Sequence, residues 1–91
     1  MKTETNWAEI LAKNVRVRRR ALGRSQEALA HDVGVDVRYL GGIERGQENP
    51  SLKVIANIAA ALGIEPAELL TSRRTGLSAT PAISSGQPEV E

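Results

Sequence analysis

Four glycines divide the N-terminal part of the chain into short segments, and their spacing is the strongest constraint on its fold. Gly23, Gly34, Gly46 and Gly63 each follow a run with apolar residues at helical intervals, and glycine is common just beyond the end of a helix. No segment shows the alternation of apolar and polar residues typical of a strand, and no Asn-Gly or Asp-Gly hairpin turn occurs. The sequence therefore predicts an all-α fold built from short helices.

Five helices are predicted, and the first runs from Trp7 to Leu22. The other four are placed at residues 26–33, 36–45, 52–62 and 66–70. Ser25, Asp36 and Ser51 each offer a side-chain oxygen that can cap the helix that follows. The apolar residues at helical spacing in the first and fourth helices are Trp7, Leu11, Val15, Leu22, Leu52, Ile55, Ile58, Ala59 and Leu62. With one Trp, one Tyr and no Phe in the chain, we expect an aliphatic core.

The composition excludes most catalytic and metal-binding chemistries. The 91 residues suit a single domain, and they include no cysteine, so a disulfide, a zinc-thiolate site and a thiol nucleophile are ruled out. The one histidine, His31, has no second histidine with which to share a metal ion. No catalytic triad, carboxylate pair or phosphate-binding loop stands out. We therefore expect a protein that is not an enzyme and has no catalytic residue, cofactor or metal site.

The chain is expected to consist of one domain, residues 1–71, and a flexible tail, residues 72–91. The tail is rich in Ser, Thr, Pro and Gly and has no sustained period, so it cannot bury enough surface to offset its ordering entropy. No apolar run approaches the roughly 20 residues that cross a bilayer, and the N-terminus has no signal-peptide segment. We therefore expect a cytoplasmic protein without a membrane partner.

The charge of the chain is unevenly distributed, although the formal net charge is only +1. Residues 1–24 carry seven basic and two acidic side chains, whereas residues 25–71 carry three basic and seven acidic ones. A basic end on a nearly neutral protein permits a polyanionic partner without requiring one. The alternative is a solvated, arginine-rich helix face.

The most informative stretch is residues 26–45, in which two short helices share a tight turn. Leu29 and Val33 lie on the inner face of the first helix, and Leu40 and Ile43 lie on that of the second. The residues suited to the crossing and the turn are Ala30, Gly34 and Val35. Two helices joined by a short glycine-containing turn form a helix-turn-helix unit, whose second helix can enter the major groove of DNA. The alternative is that the apolar residues only form the core of a small bundle.

Sequence blocks on both sides of this unit point to a known family. They are Arg19 ahead of Gly23, SQEALA at 25–30, GV at 34–35, IERG at 43–46, and NPSL…IA…ALGI at 49–64. In these blocks the chain resembles the lambda-repressor-like, Cro-type regulators of the XRE family, over about residues 15–70. The resemblance implies a compact five-helix domain that binds operator DNA as a homodimer. It further implies a transcriptional regulator, either a repressor or a self-regulating control protein.

The resemblance also assigns roles to single residues. The residues expected to read DNA bases are Asp36, Val37, Arg38 and Gly42. Arg38 is the main candidate, because a guanidinium can pair with guanine O6 and N7. At Gly42 many family members place a base-reading side chain, so readout at this position is absent or passes to the backbone. The residues expected to contact phosphate are Arg24, Gln26, Tyr39, Arg45, Gln47 and Asn49, with the alternative that Tyr39 only covers the edge of the core.

Arg19 and Glu44 match a pair that is structural in the family, a partly buried ion pair between the first helix and the end of the recognition helix. The chain departs from the family pattern at Arg18 and Arg24, where apolar residues are usual, and we expect Val17 and Leu22 to take over part of the packing.

The Gly41–Gly42 pair inside the recognition helix is a further departure. Each glycine costs roughly 1 kcal/mol relative to alanine in a helix interior. The pair indicates either a close approach to the helix backbone or a helix that becomes fully ordered only on DNA.

The homodimer is expected to use Ile64, Leu69 and Leu70, unless these residues close the core of the monomer. The N-terminal helix with Trp7 is the other possible interface. Two-fold dimers place their recognition helices about 34 Å apart and bind near-palindromic half-sites of double-stranded DNA. Two other functions stay open. One is an antitoxin-type or other interaction module whose tail, residues 72–91, binds a protein partner. The other is a helical scaffold that does not bind DNA, for which Gly41–Gly42 is the argument.

Overall fold

A computed structural model of the protein describes residues 5–72. Its helices are α1 Trp7–Ala21, α2 Gln26–Val33, α3 Val37–Glu44, α4 Leu52–Leu62 and α5 Pro66–Leu69. No strand occurs among these residues, so the predicted all-α fold of five helices is confirmed. The predicted tail lies outside the described residues except for Ser72. In the part of the chain that is described, no helix has the length and apolar character needed to cross a membrane.

Helices α2 and α4 begin and end at the predicted residues, whereas α1, α3 and α5 end one residue earlier than predicted, and α3 begins one residue later because Asp36 is its N-cap. The Ser25 side chain accepts a hydrogen bond from the Ala28 N–H at 3.0 Å, and the Ser51 side chain accepts one from the Val54 N–H at 3.2 Å. Both bonds satisfy donors that the first turn of a helix leaves free. At the other end of α2, Gly34 has a φ of +88°, a left-handed conformation that favours glycine.

The core is aliphatic, as expected, and every helix contributes to it. Its fully buried large residues are Val15, Leu29, Leu40, Ile43, Ile58 and Leu69. Helix α1 packs against α3 and α5, while α2 packs against α3 and α4. This arrangement buries one face of α3 and leaves the opposite face of the helix without a covering helix.

Three apolar residues that helical spacing placed with the core are instead exposed, and so is Val17, which was expected to share the packing of α1. Trp7 is 55% exposed, Leu22 is 51% exposed and Leu52 is 73% exposed, because each lies at or beyond the end of its helix, where no other helix covers it. Val17 is 54% exposed since it is two residues from buried Val15, about 200° around the helix. The expectation that Val17 and Leu22 take over packing on α1 is therefore wrong.

The core face of α1 includes a polar residue, Asn14. Asn14 is buried, and its side-chain amide donates to the carbonyl oxygens of Leu69 at 2.8 Å and Thr71 at 3.0 Å. The first bond satisfies a carbonyl that the C-terminal end of α5 leaves free, and the second holds the chain two residues beyond that end. Asn14 thereby fastens the end of α5 to α1.

Candidate nucleic-acid interface

Helices α2 and α3 form a helix-turn-helix unit with a tight connection. The backbone N–H groups of Gly34 and Val35 both donate to the Ala30 carbonyl, at 2.8 and 3.0 Å. Leu40 and Ile43 on α3 are no more than 1% exposed and anchor that helix in the core. The turn and these two anchors fix the direction in which α3 presents its other face.

The outward face of α3, opposite its core anchors, carries an exposed arginine head group. Residues three and four apart on a helix share a face, and here they are Arg38, Gly41, Gly42 and Arg45. The Arg38 side chain is 91% exposed, with its Nε 3.7 Å from Asp36 Oδ1. Asp36 caps the helix by accepting from the Arg38 N–H at 2.7 Å. Arg38 therefore extends from the first turn of a capped helix.

Two other residues of the first turn face partly inward. Val37 and Tyr39 are half-buried and pack against the core. Tyr39 thus covers the edge of the core, which was the alternative to a phosphate contact. A phosphate contact by its hydroxyl group stays a prediction, as does a base contact by Val37.

The double glycine of α3 provides room for polar side chains that lie against the helix. A β-carbon on Gly41 would be 3.1 Å from Arg45 Nη1 and 3.8 Å from Gln26 Oε1. A β-carbon on Gly42 would be 2.8 Å from Glu48 Cγ. Of the two explanations left open by the sequence, the structure shows the close approach. Gly42 is buried, so a base contact by its backbone would require Glu48 to move.

Glu48 is a residue that sequence reasoning missed. Its place on α3 depends on the path of the loop between α3 and α4, which periodicity does not predict. The only signal in the sequence was the lack of a side chain at Gly42. We interpreted it as an absent base contact, whereas the structure places the Glu48 side chain in that space.

Below this face, Glu44 connects three helices. Its carboxylate is 2% exposed and accepts from Arg19 Nε at 2.7 Å and Arg19 Nη2 at 3.0 Å. It also accepts from Gln26 Nε2 at 3.0 Å, and the Glu44 carbonyl accepts from Arg16 Nη1 at 2.5 Å. The ion pair implied by the family resemblance is thus present, and Arg16 and Gln26 extend it.

The ionisation of this pair follows from its surroundings. Burial raises the pKa of Glu44, but hydrogen bonds from Arg19 and Gln26, with attraction to Arg19 and Arg20, lower the pKa overall. The hydrogen bond to Glu44 raises the pKa of Arg19 despite its burial. Both side chains are therefore charged at neutral pH, and the pair is a fixed support for the end of α3.

Four of the six residues expected to contact phosphate fall into two groups. Arg45, Gln47 and Asn49 are exposed at the end of α3 and in the loop that follows, and Arg45 Nε donates to Gln47 Oε1 at 3.0 Å. Arg24 instead pairs with Asp32 at 2.5 Å, and its Nη1 lies 3.4 Å from the Ala61 carbonyl on α4. The Arg24 guanidinium is thus held on the α4 side of α2.

The three residues expected in the dimer interface also differ in position. Leu69 is fully buried and closes the core of the monomer, which was the alternative for this residue. Ile64 and Leu70 are half-buried and pack against the core. A role for these two in a dimer stays a prediction.

Comparison with known proteins identifies the family of this site. The helix-turn-helix family model matches residues 15–69. A hypothetical transcription factor from Neisseria meningitidis serogroup B is 40% identical over 67 residues, which are 74% of this chain and 63% of that protein. The control protein C.SmaI from Serratia marcescens is 42% identical over 69 residues, which are 76% of this chain and 80% of that protein.

A solved structure leads to the same family. The restriction-modification controller protein C.AhdI from Aeromonas hydrophila superposes with a TM-score of 0.66 and is 48% identical, over 68% of this chain and 94% of that one. The family match includes α2, the turn, α3 and the Arg19–Glu44 pair. The chain therefore belongs to the XRE-type helix-turn-helix family.

Proposed function

We propose that this protein is a sequence-specific DNA-binding regulator of transcription that inserts α3 into the major groove as a homodimer. The observation that carries the proposal is the outward face of α3. It is anchored on its opposite side by buried Leu40 and Ile43 and presents an Arg38 side chain that is 91% exposed. An anchored helix with an exposed arginine in its first turn suits base readout in the major groove.

Base contacts come from the first turn of α3. The Arg38 guanidinium can donate two hydrogen bonds to guanine O6 and N7. Asp36 lies beside it, 62% exposed, and the Val37 methyl groups suit a thymine methyl. Arg38 therefore carries most of the direct readout.

Phosphate contacts come from both sides of this helix. The first N–H groups of α2, beginning at Gln26, suit one DNA strand, and exposed Arg45, Gln47 and Asn49 suit the other flank. The Gln26 side chain already bonds Glu44, so its contribution falls to the backbone. Arg24 contributes only if its ion pair with Asp32 opens.

The relatives favour a control function exerted through binding rather than through catalysis. C.SmaI is a control protein, and C.AhdI is a restriction-modification controller protein. We infer that this chain likewise controls transcription, as a repressor or a self-regulating protein, and is not an enzyme. A two-fold dimer would read near-palindromic half-sites about 34 Å apart.

The test is selection of bound fragments from a random duplex library at about 50 and about 200 mM salt. Wild type is compared with Arg38→Ala and with Arg18→Ala. The latter also removes one arginine, but from an exposed ion pair between α1 and Glu68. We expect wild type and Arg18→Ala to enrich the same two-fold symmetric site, and Arg38→Ala to lose or relax one base position in each half. Weak binding that vanishes at the higher salt, with no enriched site, would contradict the proposal.

A further inference from the structure

An acidic side chain lies on the outward face of α3. Glu48 comes from the loop between α3 and α4, and its side chain covers the bare backbone at Gly42. A β-carbon on Gly42 would be 2.8 Å from Glu48 Cγ and 2.9 Å from Glu48 Oε2. Glu48 is half-buried. Its carboxylate therefore occupies the space that a side chain at position 42 would take.

That space adjoins the residue proposed to read bases. Arg38 and Gly42 are one helical turn apart on the same face of α3. The start of the loop is tied to the end of the helix, since the Gln47 N–H donates to the Gly42 carbonyl at 2.9 Å and the Gly46 N–H to the Ile43 carbonyl at 3.1 Å. The backbone beside Glu48 is thus held in a fixed position relative to Arg38.

The chemistry of a carboxylate limits what it can bind there. An ionised carboxylate only accepts hydrogen bonds, and it is repelled by phosphate. Within residues 5–72 the Glu48 carboxylate has no hydrogen-bonding partner. In the major groove the cytosine N4 amino group is a donor that acidic side chains accept from.

We propose that Glu48 is a specificity-determining residue that accepts a hydrogen bond from the N4 amino group of a cytosine next to the base pair read by Arg38. The inference rests on the proposed DNA-binding function. It also explains the glycine at position 42, because a side chain there would occupy the space of the Glu48 carboxylate.

Two variants remove this hydrogen bond in different ways. Glu48→Ala deletes the carboxylate. Gly42→Ala keeps it, but the new β-carbon displaces it from the helix. The displaced atoms are those of the Glu48 side chain from Cγ outward and include no backbone atom, and alanine favours the helix, so this variant should fold. The matched control is Glu68→Gln, which removes one negative charge on α5 and keeps a side chain able to accept from the Glu65 N–H.

The experiment is the same fragment selection, followed by affinity measurements on the selected site with each of the four bases at the Glu48 position. We expect wild type and Glu68→Gln to prefer cytosine by about 5- to 100-fold over the other bases. Both Glu48→Ala and Gly42→Ala should lose that preference and keep the preference set by Arg38.

Two results would overturn the inference while leaving the proposed function standing. One is the same cytosine preference in all four proteins. The other is an equal gain in affinity for every sequence in Glu48→Ala, which would mean that Glu48 acts only by repelling phosphate. If wild type itself enriches no site, the proposed function fails, and this inference fails with it.

Discussion

Glu44 determines how the end of the recognition helix is held. Its carboxylate receives hydrogen bonds from Arg19 on α1 and Gln26 on α2, so one side chain fixes the relative positions of three helices. A buried carboxylate is tolerated only with such partners, because an unpaired charge would remain poorly solvated. The pair supports the surface proposed to face DNA from below.

Replacing Glu44 with alanine should therefore destabilise the domain strongly. The change leaves the Arg19 guanidinium, whose side chain is 11% exposed, without its partner, and such losses cost about 3–5 kcal/mol. Thermal and urea unfolding of wild type and Glu44→Ala measure the difference. The control is Asp32→Ala, which breaks the exposed pair with Arg24 and should cost about 1 kcal/mol or less. A melting-temperature shift under about 2 °C in Glu44→Ala would contradict the prediction.

The same residue predicts how stability depends on pH. The pKa of Glu44 is lowered below its ordinary value of 4.5, so its contribution is complete above that value and is lost as pH falls through the lower pKa of the folded state. The free energies of unfolding of wild type and Glu44→Gln should therefore differ by a constant amount from about pH 7 to about pH 5 and converge below about pH 4.5. Urea midpoints across this range measure it. A difference that widens in acid would reverse the sign and refute the assignment.

At the level of whole helices, the ends could be predicted but one packed face could not. Ser25 caps the start of α2 and Gly34 ends it in a left-handed conformation. Both effects depend on residues close in sequence, so they can be predicted from the sequence. The buried face of α1 depends on where α3 and α5 lie. Trp7 and Leu22 fit the period yet lie beyond the covering helices, while polar Asn14 is buried by partners 55 and 57 residues away. Such distant partners leave no local signal.

The bond from Asn14 should decide whether α5 stays attached to α1. Four residues form too short a helix to persist alone. Asn14→Ala removes the side-chain donor to the Leu69 and Thr71 carbonyls and should cost about 1–3 kcal/mol. It should also speed hydrogen exchange at Leu69 and Leu70 more than in α2. Asn57→Ala, an exposed asparagine on α4, is the control and should change neither quantity. Uniform loss of protection in every helix would show that Asn14 has no special role in holding α5.

Across the whole molecule, the distribution of basic residues in the sequence does not coincide with the proposed DNA surface. Arg16 and Arg19 bond Glu44, and Arg18 pairs with Glu68, so three of the four clustered arginines on α1 serve the fold. The charges proposed to face DNA are Arg38 and Arg45, in the segment whose net charge is negative. The net charge of each segment therefore permitted a polyanionic partner but did not predict which surface would bind it.

The salt dependence of DNA affinity can show how many copies of the protein bind one site. Each phosphate that the protein no longer neutralises reduces the slope of log affinity against log salt by about 0.9. Because Arg45 is proposed to bind one phosphate per protomer, Arg45→Ala should reduce the slope by about 1.8 if two copies bind the selected site. Fluorescence anisotropy from about 50 to about 200 mM salt measures the slope. Arg18→Ala should leave the slope unchanged, because the Arg18 side chain pairs with Glu68. A reduction near 0.9 would mean that one copy binds, and an unchanged slope in Arg45→Ala would remove Arg45 from the interface.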